Sequence, residues 1–191
     1  VKIVQVTDAA IPTWSEDLEV PDGVIGEIVV SGAIASRKYF NRPEATALAK
    51  IADPRNHTFY HRMGDVGYFD HTGRLWFCGR KAHRVIIGDE TLYTIPCEAV
   101  FNTHPWIFRT ALVGVQRHGS TIPVICVETV RRLSTTERRQ LVDELREIAE
   151  RYPHTRRIQT FLFHRSFPVD IRHNAKIFRE KLAVWAARRL R

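Results

Sequence analysis

Asp65 stands between Gly64 and Gly67 in the stretch Arg62 to Asp70 (RMGDVGYFD), so a carboxylate is presented where the backbone can turn sharply and a ligand can come close. It can accept two hydrogen bonds from a sugar diol, or it can simply cap a turn before the following hairpin. Farther on, Cys78 to Arg84 (CGRKAHR) places Arg80, Lys81, His83 and Arg84 within five residues, with no acid between Asp70 and Asp89. Such a cluster needs an anionic ligand or a remote carboxylate, unless it is a solvated linker. The third stretch, Pro168 to Leu182, carries Lys176, predicted to lie in the first turn of an amphipathic helix. A cation there opposes the helix dipole, so it is either an anion-facing group or an ordinary surface lysine. The nine histidines show no pair at metal-ligand spacing on one helix face, and Cys78, Cys97 and Cys126 are scattered, which argues against a metal site.

The elements that must position these groups divide the chain in two. Before Arg80 the pattern is short β-segments broken by turns: Gly26 to Ser31 (GEIVVS) as a strand, Asn41, Pro43 and Glu44 opening a short helix through Lys50, then strands Gly67 to Asp70 and Leu75 to Arg80 around His71, Thr72 and Gly73. This predicts a small β-barrel or sheet. After Arg80 strands alternate with helices: a short hairpin at His83 to Ile87 and Thr91 to Tyr93, a helix at Pro96 to Thr103, and strands Arg109 to Arg117 and Ile122 to Val130. Ser134 with Glu137 forms a capping box that opens a helix to Tyr152, with Leu141, Leu145, Ile148 and Tyr152 on one face and Pro153 as the stop. Gln159 to Phe163 reads as a strand, and a helix from about Ala175 turns Ile177, Phe178, Leu182 and Trp185 inward. The fold class is therefore α+β, a β-rich piece followed by a compact α+β domain of normal size.

At 191 residues and 44% apolar side chains, the chain is too hydrophobic to be chiefly disordered. Its longest apolar runs fall far below the roughly 18 to 20 residues that a membrane-spanning helix needs. Three cysteines at no CxxC spacing and no leader pattern predict a reduced, cytoplasmic setting. The only methionine is Met63, so the chain reads as a piece of a longer one. The net charge of +8 invites a nucleic-acid reading, but it is unevenly distributed: residues 1 to 80 carry nine basic and ten acidic side chains, residues 81 to 191 twenty and eleven. The excess is mostly arginine, interleaved with acids in Glu137 to Arg151, which suits a solvated helix face better than a phosphate-tracking groove. The expectation is no nucleic-acid partner, although the basic half would favour any anionic small substrate through its long-range field.

Taken in order, these stretches resemble, over nearly the whole chain, the C-terminal portion of the adenylate-forming superfamily, which includes acyl-CoA synthetases, peptide-synthetase adenylation domains and luciferases. The resemblance is carried by Gly26 to Ser31, Tyr39 to Ala45 (YFNRPEA), Gly64 to Asp70, Leu75 to Arg80 (LWFCGR) and Pro168 to Leu182. It implies ATP as substrate, with Mg2+ that takes no ligands from this segment. It also implies that Asp65 binds the ribose hydroxyls, that Arg80 contacts the nucleotide, and that Lys176 is the catalytic lysine bridging carboxylate and phosphate. Residues 1–80 then end a large nucleotide-binding domain, 81–84 form a hinge that includes Lys81 and Ala82, and 85–191 are a mobile lid. The family's phosphate loop and acyl pocket would lie upstream of Val1, so this segment alone should not turn over.

Departures from the family pattern sharpen the resemblance. Ala82 stands where the hinge usually has Asp or Lys, and Ala175 stands for the glycine before the lysine. Gly88 is followed by Asp89, and Glu90 to Ile95 (ETLYTI) is expected to hold about two residues more before Pro96 than thioester-forming relatives have, in which this loop lines the pantetheine tunnel; coenzyme A use is therefore in question. With PCEAVFNTHP (Pro96 to Pro105) and NAKIFREKL (Asn174 to Leu182), the chain is most similar to the branch of bacterial long-chain olefin biosynthesis that activates a 2-alkyl-3-hydroxy fatty acid and closes its adenylate to a β-lactone. An internal hydroxyl nucleophile needs no pantetheine tunnel. That resemblance implies a long-chain fatty acyl substrate and other olefin-pathway enzymes as partners; the alternatives are a fatty acyl-CoA or acyl-AMP ligase and, distantly, a basic nucleic-acid-binding module.

Overall fold

The computed structural model describes residues 1–172 and 176–190, and the chain forms two compact units, Val1–Ala82 and His83–Arg191. The fold is α+β. In the first unit come β1 (Lys2–Val4), β2 (Gly26–Val30), α1 (Pro43–Ala49), β3 (Lys50–Asp53), β4 (Thr58–Phe69) and β5 (Leu75–Arg80). Of the barrel or sheet expected, it is a sheet, antiparallel throughout, in the order β1-β2-β4-β3 with β5 also on β4. The twelve-residue β4 organises it, because β2 takes one edge while β3 and then β5 share the other. Val4, Ile11, Val29 and Ile51 form the core, flanked by Trp14 and Tyr60, whose rings are tilted against each other at 4.4 Å between centroids.

The hairpin turn after β4 belongs to Asp70, not Asp65. The Asp70 carboxylate accepts from the Thr72 and Arg74 amides at 2.9 and 3.0 Å and from the Arg74 guanidinium and Trp76 indole, both at 2.8 Å. The Thr72 hydroxyl also donates to it at 2.6 Å and, foremost among these bonds, holds its carboxyl well below the usual carboxylate range. Gly73 closes the turn with φ +77°. Asp65 lies inside β4, so the turn-capping alternative is overturned.

The second unit contains β6 (Val85–Ile87), β7 (Glu90–Leu92), α2 (Thr94–Phe101), β8 (Ile107–Arg117), β9 (Ser120–Thr129), α3 (Thr135–Glu150), β10 (Thr160–Phe163), β11 (Val169–Asp170), β12 (Lys176–Ile177) and α4 (Arg179–Arg189). β8 and β9 form a hairpin closed by His118 and Gly119, both at positive φ as a tight two-residue turn of this hand requires. β10 then lies parallel to β9, reached through α3. The sheet alternates its burial: Leu112, Ile125 and Val127 pack with Phe101, Leu141 and Leu145, while Ala111, Val113, Val124 and Cys126 pack with Leu182 and Ala186 of α4. Both faces are covered, which explains the near-continuous apolar run of β9. The Ser134–Glu137 capping box is formed, and α3 buries Leu141, Leu145 and Ala149 one helical turn apart. Tyr152, expected on that face, falls beyond the helix end and is exposed.

The C-terminal helix starts later than the periodicity predicts. Ala175, its expected start, lies outside the described residues; Lys176 and Ile177 pair with Asp170 and Val169 as β12, and the Phe178 amide donates to the Pro168 carbonyl at 2.9 Å. These ladder bonds claim the backbone groups that a helix through Lys176 would use, so α4 opens at Arg179. The expectation that Lys176 opposes a helix dipole is therefore corrected: it is an exposed strand residue.

Candidate active site

In the first unit, strand register brings Asp65 opposite Arg80, and the guanidinium stands 3.1 Å from Asp65 Oδ1. Arg80 also donates to the Met63 carbonyl at 3.3 Å. Asp65 is one-fifth exposed and Arg80 half exposed, so an anion and a cation are offered side by side at a surface. Two glycines make this possible for different reasons. Gly64 has φ +69° at the stretch of β4 left between β3 and β5, whereas a Cβ on Gly67 would meet the Trp76 carbonyl oxygen at 2.5 Å.

The next residue, Lys81, is drawn inward. Its ammonium donates to Glu27 Oε2 at 3.0 Å and to the Thr7 carbonyl at 2.9 Å. The same Glu27 oxygen accepts from Arg62 through Nε at 3.1 Å and through a terminal nitrogen at 2.6 Å. Arg62 spends its other donors on the carbonyls of Thr7, Ala9 and Leu48. Glu27 is 1% exposed and Arg62 5%, so this is a buried carboxylate held by two cations. Thus two groups of the cationic run, Arg80 and Lys81, meet remote carboxylates rather than solvent alone. Ala82 follows, exposed and without a polar side-chain atom.

In the second unit, Lys176 lies three residues before Arg179, whose guanidinium forms a two-pronged pair with Glu98, at 2.5 Å to Oε1 and 2.8 Å to Oε2. Glu98 Oε1 also accepts from the Leu112 amide at 2.7 Å. Burial pushes the Glu98 carboxyl upward, against the pull of Arg179. One carboxylate from α2 therefore ties β8 to the first residue of α4, immediately beyond the strand that carries Lys176. Asp65 and Arg80 are brought together within one unit; Lys176 belongs to the other.

No family model matches the chain. It is 50% identical over 190 residues, 98% of its length, to the olefin β-lactone synthetase of Xanthomonas campestris pv. campestris, and 50% identical over 193 residues to that of Stenotrophomonas maltophilia. Its relatives and structural neighbours are adenylate-forming enzymes. It corresponds to their C-terminal portion and spans about a third of the length of the curated relatives it matches, 34% and 35%. The amide bond synthetase McbA from Marinactinospora thermotolerans shares its fold, with a TM-score of 0.73 over 93% of this chain and 34% of McbA, at 23% identity.

The short hairpin expected at His83 to Ile87 and Thr91 to Tyr93 is present as β6 and β7, joined by Gly88, at φ +59°, and Asp89, whereas the longer loop expected over Glu90 to Ile95 is not formed: β7 occupies Glu90–Leu92 and α2 begins at Thr94. The Glu27–Arg62 and Glu98–Arg179 pairs escaped the sequence reading. Their signal was present, because Glu27 and Glu98 are single acids inside apolar runs, GEIVV and CEAVF, where an unpaired carboxylate cannot be buried. Burial raises the Cys97 and Cys126 thiols to about 12 and the Cys78 thiol to about 11, so all three are inert core residues. Among the described residues no helix is long and apolar enough to cross a membrane.

Proposed function

We propose that the chain is part of an ATP-dependent enzyme that activates a long-chain 2-alkyl-3-hydroxy fatty acid as its acyl adenylate and closes that adenylate to a β-lactone. The observation that carries this reading is the 50% identity to olefin β-lactone synthetases along 98% of the chain. In this scheme a carboxylate oxygen of the acid attacks the α-phosphorus of ATP and pyrophosphate leaves. The 3-hydroxyl oxygen then attacks the acyl carbonyl, AMP leaves, and the hydroxyl proton is lost as the ring closes.

The residues have separable tasks. Asp65, beside Arg80, accepts the ribose hydroxyls, and Arg80 offers its remaining donors to the nucleotide. Lys176 stabilises the charge that builds between the carboxylate and the α-phosphate, an effect that depends on its being oriented beforehand. Lys81 and Ala82 form the hinge through which the lysine-bearing unit reaches the nucleotide. Among the described residues no three His, Cys, Asp or Glu side chains converge as a metal site. Other enzymes of the olefin pathway are the expected partners.

The test is exchange of labelled pyrophosphate into ATP by the full-length enzyme with a 2-alkyl-3-hydroxy acid. Lys176→Ala, at an exposed position, is expected to lower exchange roughly 100-fold or more with unfolding unchanged; normal exchange in that variant would remove Lys176 from the chemistry. A lactone formed without coenzyme A supports closure, whereas a strictly coenzyme A-dependent thioester replaces it with acyl-CoA ligation.

A further inference from the structure

The arginines that look dispersed along the sequence converge in the second unit. Arg131 and Arg132 after β9, Arg138 on α3, Arg165 after β10 and Arg189 at the end of α4 line one cavity of about 700 Å3. No Asp or Glu is among its lining residues, and of the five only Arg131 has a carboxylate partner among the described residues, Glu137 at 2.6 Å. The other four like charges around one volume repel each other, and that arrangement is relieved by a bound anion. Ser134 and Glu137 satisfy each other in the capping box, so the positive field comes from the guanidinium groups rather than from open helix amides.

The strand ends place the cavity in the fold. β9 and β10 are parallel neighbours joined through α3, and the cavity opens just beyond their carboxyl ends, at Thr129 to Arg132 and Phe163 to Arg165. Aromatic surface completes it: Trp185 lies under Arg189 at 5.6 Å and Phe163 under Arg138 at 5.4 Å, so flat cations and flat rings alternate around the opening. A nucleotide-sized molecule fits this volume.

We propose that this cavity binds a phosphate ester or polyphosphate, through arginine forks to its oxygens and the Trp185 and Phe163 rings against its apolar or planar part. The site consists wholly of residues outside the catalytic assignments above and stands whether or not those hold. Its phosphate can come from a soluble phosphate compound or from an anionic lipid headgroup.

The experiment is local, because pyrophosphate is also a product of the proposed reaction. The full-length protein is labelled with 5-fluorotryptophan, the Trp185 resonance is assigned with Trp185→Phe, and inorganic pyrophosphate is titrated. In parallel, the protein is sedimented with vesicles of phosphatidylcholine alone or mixed with phosphatidylglycerol. A saturable Trp185 shift with pyrophosphate, weakened roughly tenfold or more in Arg165→Gln/Arg189→Gln, assigns a soluble phosphate ligand. Sedimentation only with phosphatidylglycerol vesicles, lost in the same variant, assigns the headgroup. No Trp185 response and no sedimentation, or responses undiminished in the variant, overturn the proposal.

Discussion

Each unit buries one carboxylate to hold a cation beside a residue with a proposed functional role, and the two do so differently. In the first, one oxygen of Glu27 receives both Arg62 and Lys81, and Arg62 is further locked onto three backbone carbonyls, so the network is rigid and ends at Lys81, one residue before Ala82. In the second, Glu98 and Arg179 form a single two-pronged pair with one backbone amide as the extra donor. The first clamp fixes where a segment stops being anchored; the second fixes where a helix begins. Burial of the ions makes both costly to break singly, while only the first has many partners to lose.

The contrast can be broken by substitution. Arg62→Met leaves Glu27 with Lys81 as its remaining clamp cation and removes the arginine donor from the carbonyls of Ala9, Leu48 and Thr7, of which Thr7 keeps Lys81, so the first unit should lose about 3–5 kcal/mol in urea unfolding. Glu98→Ala should destabilise the second unit by a smaller amount, about 3 kcal/mol, because a single buried guanidinium is left unpaired. Equal losses would erase the distinction. Replacing both partners, Glu98→Leu with Arg179→Met, should restore most of that stability, since an apolar pair of similar volume avoids the burial of charge. Pyrophosphate exchange by the double variant should still fall roughly tenfold, because Lys176 loses the anchor three residues away; full exchange would show that the pair only stabilises the unit. The smallest effect is at Asp70. Its folded-state pKa is depressed, so its contribution is present above the ordinary value of 3.8 and is lost as pH falls below it. Asp70→Asn should flatten that acid limb in a pH series of thermal unfolding.

Legibility in the sequence followed the range of the interaction. The capping box of α3 and its apolar face depend on residues three and four apart, and both were readable from Ser134, Glu137, Leu141 and Leu145. The start of α4 was not readable, because what removes Lys176 from the helix is a strand partner, Asp170, across a short hairpin. Asp65 and Asp70 look alike in a local window; their division into a strand carboxylate and a turn carboxylate depends on the pairing of β4 with β5.

The sequence by itself determined the α+β class and the uneven charge of the two halves, because composition and local spacing are sufficient for these, and it carries in order the motifs on which the resemblance to adenylate-forming enzymes rests. Only the tertiary structure decided which carboxylate meets which cation, where the lysine-bearing strand ends, and that arginines from four separate stretches line one cavity. Those outcomes depend on contacts between residues up to 81 positions apart, as between Glu98 and Arg179, and no local propensity encodes a partner at that distance.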